Sequence, residues 1–135
     1  MERLTERLAT ARAALATLHE LVRKPDRSKV ERDAAIQRFE YTFEAVWKAA
    51  QLYLREVEGL EVGSPKRAAR AALQVGLFDE AHTRHVLAMV DDRNLTVHTY
   101  NEQLAEEISS RLSDHALLLQ HWLDQMGARI PEAPA

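Results

Sequence analysis

The stretch IQRFEYTFEAVWKAAQLYLREV, residues 36–57, carries a long amphipathic pattern that decides the fold. Its apolar residues recur at steps of three and four, which places them along one face of a helix: Ile36, Phe39, Phe43, Val46, Ala50, Tyr53 and Val57. Ser28 and Glu31 have the spacing of a capping box, so the helix is predicted from about Lys29 to Glu58. At about 1.5 Å per residue it would be roughly 45 Å long, the spine of the domain.

The segments before and after this helix carry two more long apolar stripes. The earlier stripe extends to about Lys24 and consists of Leu4, Leu8, Ala11, Leu15, Leu18 and Val22. A nearly strict heptad seam follows the cap residue Asn101 and is predicted to end at Gly127. It consists of Leu104, Ile108, Leu112, His115, Leu119, Trp122 and Met126. Each stripe predicts a long helix that buries one face.

Two shorter helices are predicted between the spine and the C-terminal helix. Ser64 and Pro65 are typical of an N-cap followed by a first-turn proline, and Gly76 is a typical stop, so one helix should run from Pro65 to about Val75. The other should begin near Asp79. We therefore expect an all-α, up-and-down helical bundle of about five helices with a four-helix core, formed by residues 1–127. Residues 128–135 are expected to be a disordered tail.

The composition indicates one cytoplasmic domain. At 135 residues the chain is long enough to bury a core, and the absence of cysteine excludes disulfides, thiolate nucleophiles and cysteine zinc sites. No run approaches the roughly 18 apolar residues of a membrane span, and the N-terminus lacks the apolar core of a signal peptide. A net charge of −3 argues against a surface that binds nucleic acid everywhere, but it leaves room for a local site.

The apolar stripes of the second and last helices are broad. Trp47 and Leu54, for example, widen the stripe of the second helix beyond a narrow seam. Such stripes are wide enough to serve an internal core and a second chain, so we expect a homodimer. An oversized internal core is the alternative.

The stretch DRNLTVHTY, residues 92–100, combines an arginine, a histidine and a tyrosine. On a continuous helix, five residues would place Arg93 and His98 about 140° apart, so the two side chains could share a target only if the helix ends or bends between them. Thr96 and Thr99 favour such an ending, as does Asn94, because short polar side chains compete for backbone hydrogen bonds. A dimer that brings two copies of the segment together is the other solution.

Arg93 and His98 together would suffice to cleave RNA without a metal. An imidazole can move a proton to or from a ribose hydroxyl near neutral pH, and a guanidinium can hold the phosphate and offset its developing charge. The RNA supplies its own nucleophile, the 2′-hydroxyl. The structural alternative is that Arg93 pairs with Asp91 or Asp92 and that His98 caps a helix.

Three segments in this order resemble a known family. They are RFEYTFEAVWKAAQLYL (residues 38–54), SPKRAARAALQVGLFDE (64–80) and MVDDRNLTVHTYNEQLAEEI (89–108). The chain resembles HEPN proteins, specifically the nucleotidyltransferase substrate-binding proteins that include the HepT toxins. The resemblance implies a helical dimer whose Arg-x4-His segments line one cleft. It also implies a metal-independent ribonuclease, without a cofactor, in which Arg93 and His98 carry the cleavage.

The same resemblance implies a partner and a modification. In the toxin branch a separately encoded minimal nucleotidyltransferase acts as the antitoxin and transfers AMP to the motif tyrosine, which corresponds to Tyr100. A bulky anionic adduct there would fill the cleft and occupy Arg93. The alternative within the family is a non-catalytic subunit that presents a substrate to the nucleotidyltransferase.

Weaker candidates lie outside this segment. Lys66, Arg67 and Arg70 form a basic cluster that could guide RNA or a nucleotide, and we group Asn94 with them as a candidate contact. Asp79, His82 and His85 resemble part of a metal site, but a helix cap and two surface histidines are the better interpretation, so no metal site is predicted. His115 interrupts an apolar seam and is interpreted as a satisfied core or interface histidine.

Overall fold

Five α-helices and one short 3-10 helix make up the fold of residues 1–130. The computed structural model describes residues 1–130. The helices are α1 (Glu2–Val22), α2 (Lys29–Glu56), α3 (Pro65–Gln74), α4 (Glu80–Leu95) and α5 (Glu102–Arg129), with the 3-10 helix Thr96–His98 between α4 and α5. Within these residues there is no strand. The predicted all-α fold of five helices is confirmed.

The predicted helix starts are confirmed, and each has a local cause. Ser28 Oγ accepts from the Glu31 backbone N–H at 3.1 Å, and the Ser28 N–H donates to the Glu31 carboxylate at 3.0 Å. This reciprocal pair closes the predicted capping box. Ser64 caps α3 with Pro65 in its first turn, and Asn101 caps α5. These contacts involve neighbours three residues apart, which is why sequence spacing finds them.

The predicted end of α5 at Gly127 is wrong, because the helix continues to Arg129. Arg129 donates to the carbonyl oxygens of Val75 and Gly76 at 2.7 and 2.9 Å, which holds the last turn of α5 against the end of α3. The helix then stops at Ile130, the residue before a proline, where the α conformation is disfavoured. Part of the predicted disordered tail, residues 128–129, is therefore helical. The rest of that tail, residues 131–135, lies outside the described residues.

The four long helices alternate in direction along the chain. Near the end of α1, Arg38 of α2 donates to the Thr17 carbonyl at 2.7 Å, and the amine of Met1 lies 3.6 Å from the Glu56 carboxylate. These pairs make α1 and α2 antiparallel. Ring contacts between Phe78 and Trp122, with centroids 5.0 Å apart, place the start of α4 beside the later part of α5. The long helices thus form an up-and-down bundle, and α3 covers one side.

The core runs the length of the bundle between α1, α2 and α5. Its largest fully buried side chains come from all the long helices and include Leu4, Leu15, Phe39, Phe43, Tyr53, Met89, Ile108, Leu119 and Trp122. At the start of α2 the charged residue Arg32 is also buried, since it is only 3% exposed. Its guanidinium contacts Glu102 and Glu106 at 2.8 and 2.7 Å, which ties α2 to the first turns of α5. None of the helices within residues 1–130 is long and apolar enough to cross a membrane.

Candidate active site

The helix that carries Arg93 ends before His98, as predicted. α4 stops at Leu95, and residues Thr96–His98 continue as a 3-10 helix. The Thr96 hydroxyl donates to the Arg93 carbonyl at 2.7 Å, and the Thr99 hydroxyl donates to the Thr96 carbonyl at 3.1 Å. These bonds give backbone carbonyls side-chain partners at the point where the regular α-helical ladder ends. The α-helix that carries Arg93 therefore gives way to a tighter 3-10 turn before His98.

Arg93 is loosely held. Its Nη1 lies 3.4 Å from the Thr96 hydroxyl oxygen, and its Nη2 lies 3.9 Å from a Glu44 carboxylate oxygen, which is beyond hydrogen-bond distance. Its Nε is buried and has no hydrogen-bond partner among residues 1–130. A buried guanidinium N–H without an acceptor is unfavourable, because it loses its water without replacement. The Nη groups of Arg93, whose side chain is 25% exposed, also keep donor capacity that an anion could satisfy.

The two aspartates that precede Arg93 in sequence bind other cations. Lys66 Nζ lies 2.8 Å from Asp91, while Asp92 accepts from Arg111 and His115. The structural alternative, in which Arg93 pairs with Asp91 or Asp92, is therefore wrong. Asp91, Asp92 and Arg93 have different partners because the side chains of successive helix residues point about 100° apart.

His98 and Tyr100 lie together on the surface. The Tyr100 hydroxyl oxygen is 3.5 Å from His98 Nδ1, and the two rings meet edge to face with centroids 6.0 Å apart. The Tyr100 side chain is 83% exposed. His98 does not cap α5, since Asn101 does so. Among the described residues no hydrogen bond joins Arg93 to His98, so a single chain leaves the two candidate catalytic side chains unlinked.

A buried polar chain lies directly beneath the segment. The Asp92 carboxylate, in a residue 6% exposed, accepts two hydrogen bonds from Arg111 at 2.8 Å and one from His115 Nε2 at 2.7 Å. His115 Nδ1 lies 3.0 Å from His85 Nε2, so His85 donates if His115 carries its proton on Nε2. His115 also stacks on Phe39 with ring centroids 5.3 Å apart. Its interpretation as a satisfied core histidine is confirmed.

The charges of these hydrogen-bonded side chains, Asp92, His115 and His85, are set by burial and pairing. Burial lowers the pKa of His115, and the hydrogen bond to Asp92 offsets this effect only partly. Burial likewise lowers the pKa of His85. Burial alone would raise the pKa of the Asp92 carboxyl, but hydrogen bonds from Arg111 and His115 outweigh it and hold that pKa below its ordinary value. This group of side chains therefore favours an ionised Asp92 with neutral His115 and His85.

Sequence reasoning missed the pairing of Asp92 with Arg111. A signal for Asp92 was present, because it follows the buried Met89 by three residues and so falls on the same helical face. Arg111 offers no comparable signal. Its partner lies 19 residues away on another helix, and its side chain is half-exposed like that of many surface arginines.

The other candidates are placed as follows. Lys66 is bound to Asp91, whereas Arg67, Arg70 and Asn94 lie at the surface. Asp79 caps α4 by accepting from the His82 backbone N–H at 2.7 Å, as its interpretation as a helix cap predicted. His85 is bound to His115. Within residues 1–130 no three His, Cys, Asp or Glu side chains are grouped closely enough to hold a metal ion.

The fold and this segment define a class: all-α bundles in which the end of the fourth helix carries an arginine and the turn that follows carries a histidine and a tyrosine. The chain belongs to the family described as nucleotidyltransferase substrate binding protein like, whose model matches residues 6–128. This confirms the family resemblance of the sequence. A search of curated proteins found no match.

Several solved structures are similar to the chain. A Thermus thermophilus protein is 60% identical, with a TM-score of 0.84 over 86% of this chain and 98% of that one. A Haemophilus influenzae protein, reported to reveal the fold of a substrate binding domain of a nucleotidyltransferase, is 23% identical, with a TM-score of 0.75 over 89% and 98%. A tri-AMPylated Shewanella oneidensis HEPN toxin in complex with MNT antitoxin is 17% identical, with a TM-score of 0.75 over 93% and 96%. The last two show a shared fold.

Proposed function

We propose that the chain is the ribonuclease toxin of a cytoplasmic toxin–antitoxin module and acts as a homodimer. Arg93 and His98 would cleave RNA without a metal, and a separately encoded minimal nucleotidyltransferase would neutralise the toxin by AMP transfer to Tyr100. The single observation that carries this proposal is the state of Arg93. Its guanidinium has a buried Nε without a partner among residues 1–130 and no carboxylate there within hydrogen-bond distance, although two aspartates immediately precede it in sequence.

The chemistry needs one anion site and one proton carrier. The ribose 2′-oxygen would bond to the adjacent phosphorus and lose its proton, while the bond from phosphorus to the 5′-oxygen breaks and that oxygen gains a proton. His98 is exposed and can exchange a proton with the RNA. Arg93 would offset the charge that grows on the phosphate oxygens. Asn94, Lys66, Arg67 and Arg70 are proposed as secondary contacts with RNA.

A homodimer would complete this arrangement. Leu95 and Val97 present apolar surface beside the segment and are 39% and 66% exposed. A second copy that covers this surface would bring two Arg93 and two His98 side chains to one cleft. One histidine could then accept the 2′-hydroxyl proton while the other donates to the leaving oxygen.

Tyr100 is suited to modification. Its hydroxyl is exposed, and its oxygen would attack the α-phosphorus of ATP, displace pyrophosphate and release the phenolic proton. The resulting AMP carries a negative charge within reach of the His98 ring, which lies 3.5 Å from the hydroxyl oxygen. The adduct would therefore compete with RNA phosphate for the same cations.

RNA cleavage in EDTA by the purified chain tests the catalytic part. We expect cleavage by the wild type, its loss in His98→Ala and Arg93→Ala, and full activity in His19→Ala, which changes a partly exposed histidine on α1. Expression without the partner should slow growth for the wild type and for His19→Ala, but not for His98→Ala or Arg93→Ala. Equal cleavage by His98→Ala and His19→Ala would exclude His98 as a catalytic residue.

Mass spectrometry after incubation with the partner nucleotidyltransferase and ATP tests the modification. An AMP adduct should form on the wild type and on Tyr41→Phe but not on Tyr100→Phe. Tyr41 is a matched control because it is 42% exposed on α2. An adduct that persists in Tyr100→Phe would place the modification elsewhere.

The second candidate is a non-catalytic subunit that presents a substrate to the nucleotidyltransferase. The family description and the likeness to the Haemophilus influenzae protein favour it. It requires a chain that is harmless when expressed alone, leaves RNA intact, and yet forms a stable complex with the partner in gel filtration. Loss of growth that depends on His98 would reject this candidate.

A further inference from the structure

A second basic surface lies on the side of the bundle formed by α1, α2 and the loop before α3. A cavity of about 400 Å³ opens there, and we call it the α1–α2 pocket. Four cations line it: Arg3 and Arg7 from α1, and Lys48 and Arg55 from α2. Two of the four therefore come from a helix that lies outside the three segments on which the family resemblance rests.

The cations of the α1–α2 pocket are not neutralised. Within residues 1–130, no carboxylate lies within 4.0 Å of Arg3, Arg7, Lys48 or Arg55, although Glu61 also lines the pocket. By contrast, Arg32 has three carboxylate partners at 2.7 to 2.9 Å. Four like charges around one cavity repel one another, and a bound anion would relieve that repulsion. The pocket thus has the charge pattern of an anion site.

The wall of the pocket is built from defined contacts. Gln51 Nε2 donates to the Val62 carbonyl at 2.9 Å, which fastens the loop onto α2. The loop leaves α2 through Gly59, whose φ of +71° is accessible to glycine at little strain. The Leu60 N–H then donates to the Leu54 carbonyl at 2.8 Å. The shape of the cavity is therefore present before any ligand arrives, which lowers the cost of binding.

A neighbouring cavity extends from the α1–α2 pocket to Glu44, the carboxylate beside Arg93. This second cavity also measures about 400 Å³ and shares Arg7 and Lys48 with the first. It is also lined by Glu44, whose carboxylate oxygen is 3.9 Å from Arg93 Nη2. From Glu44 to Arg55 the helix rises roughly 16 Å. Four cations, Arg3, Arg7, Lys48 and Arg55, line the two cavities together with two carboxylates, Glu44 and Glu61, so the net charge of this route is positive.

We propose that the α1–α2 pocket binds the phosphates of an RNA strand whose scissile bond lies at Arg93 and His98. This inference rests on the proposed ribonuclease function and adds a binding site to it. A single phosphate would satisfy one end of the route, whereas a strand of several nucleotides can contact Arg55, Lys48, Arg7 and Arg93 together. Affinity should therefore rise with RNA length and fall steeply with salt.

Fluorescence anisotropy with labelled RNA tests the site in the His98→Ala background, which separates binding from cleavage. The test variant is Arg7→Gln/Lys48→Gln, and the control Arg23→Gln/Arg84→Gln removes the same charge from exposed positions outside both cavities. Two lost phosphate contacts should reduce the log–log salt slope by about 1.4 and weaken binding roughly 25-fold at 0.1 M salt. The control pair should match the parent within about twofold. The exchange Arg7→Lys/Lys48→Arg keeps both charges and should retain the slope.

The outcomes distinguish this inference from the proposed function. Equal affinity and slope in the test and control pairs would overturn the pocket assignment, even if the wild type cleaves RNA. Equal affinity for RNAs of about 4 and about 16 nucleotides would also overturn it, because a strand-binding route requires length dependence. Failure of the wild type to cleave RNA would reject the ribonuclease proposal, and RNA binding would still be measured in the His98→Ala chain.

Discussion

Replacement of Asp92 by asparagine tests whether the polar chain beneath the motif stabilises the break between α4 and α5. The carboxylate accepts three hydrogen bonds at 2.7 to 2.8 Å, two from Arg111 and one from His115. An asparagine side chain of the same shape keeps one acceptor oxygen and presents an NH2 group at the other position. Arg111 binds both oxygens of the carboxylate, so it faces a donor in either orientation of the amide, and His115 does so as well when the NH2 group takes the Oδ2 position. Arg111 also loses its partner charge.

The magnitude follows from the strength and exposure of these bonds. A hydrogen bond to a charged group contributes about 1.5–3 kcal/mol, and the half-exposed Arg111 can regain water, which favours the lower part of that range. We expect Asp92→Asn to lower the free energy of unfolding by about 2 kcal/mol. With an unfolding entropy of about 2.1 cal/mol/K per residue, the Tm of a domain of this size should fall by roughly 7 °C.

Urea denaturation and thermal melts of Asp92→Asn measure this effect. The control is Asp114→Asn, which changes an exposed carboxylate on α5 and should alter stability by less than about 0.5 kcal/mol. Because Asp92 precedes Arg93, RNA cleavage by Asp92→Asn should also fall while His98 remains intact. A loss of stability no greater than that of Asp114→Asn would refute the reasoning, since the three hydrogen bonds would then contribute nothing to folding.

Three further predictions concern stability. The folded chain should lose stability as pH falls from about 7 to 5. Folding lowers the pKa of His115 and of His85, so the unfolded state, in which a histidine has its ordinary pKa of 6.5, binds more protons in this range. A flat stability profile in urea denaturation over this range would contradict the burial of these groups. Ser28→Ala should lower the free energy of unfolding by about 1 kcal/mol through loss of the capping box, whereas Ser113→Ala in the middle of α5 should not lower it. Gly76→Ala should destabilise the chain by about 1 kcal/mol in thermal melts because its φ is +80°. Gly63→Ala should have a smaller effect, because a Cβ added there meets no atom within 4 Å.

The helices were predictable because their causes are local. Ser28, Ser64 and Asn101 each bind a backbone N–H three residues later, so a single short window of sequence contains the whole interaction. The end of α5 was not predictable in this way. Gly127 is a reasonable local stop, but Arg129 binds carbonyl groups of Val75 and Gly76, more than fifty residues earlier, and this contact retains the last turn.

The candidate site was predictable only in part. The end of α4 between Arg93 and His98 was expected from the short polar residues of this segment, of which Thr96 and Thr99 bind carbonyls three residues earlier. The spacing could not show which aspartate binds which cation. Asp91 binds Lys66 of α3, and Asp92 binds Arg111 of α5, so neither is available to Arg93.

The sequence by itself determined the five helices, their starts and the segment that carries Arg93, His98 and Tyr100, because apolar periodicity and capping act over a few residues. Only the tertiary structure decided that Arg93 keeps a buried donor without a partner among residues 1–130 and that Arg7 of α1 joins Lys48 of α2 around a charged pocket. These arrangements depend on residues about forty or more positions apart meeting in space, and such meetings follow from the packing of whole helices, which the spacing of residues does not express.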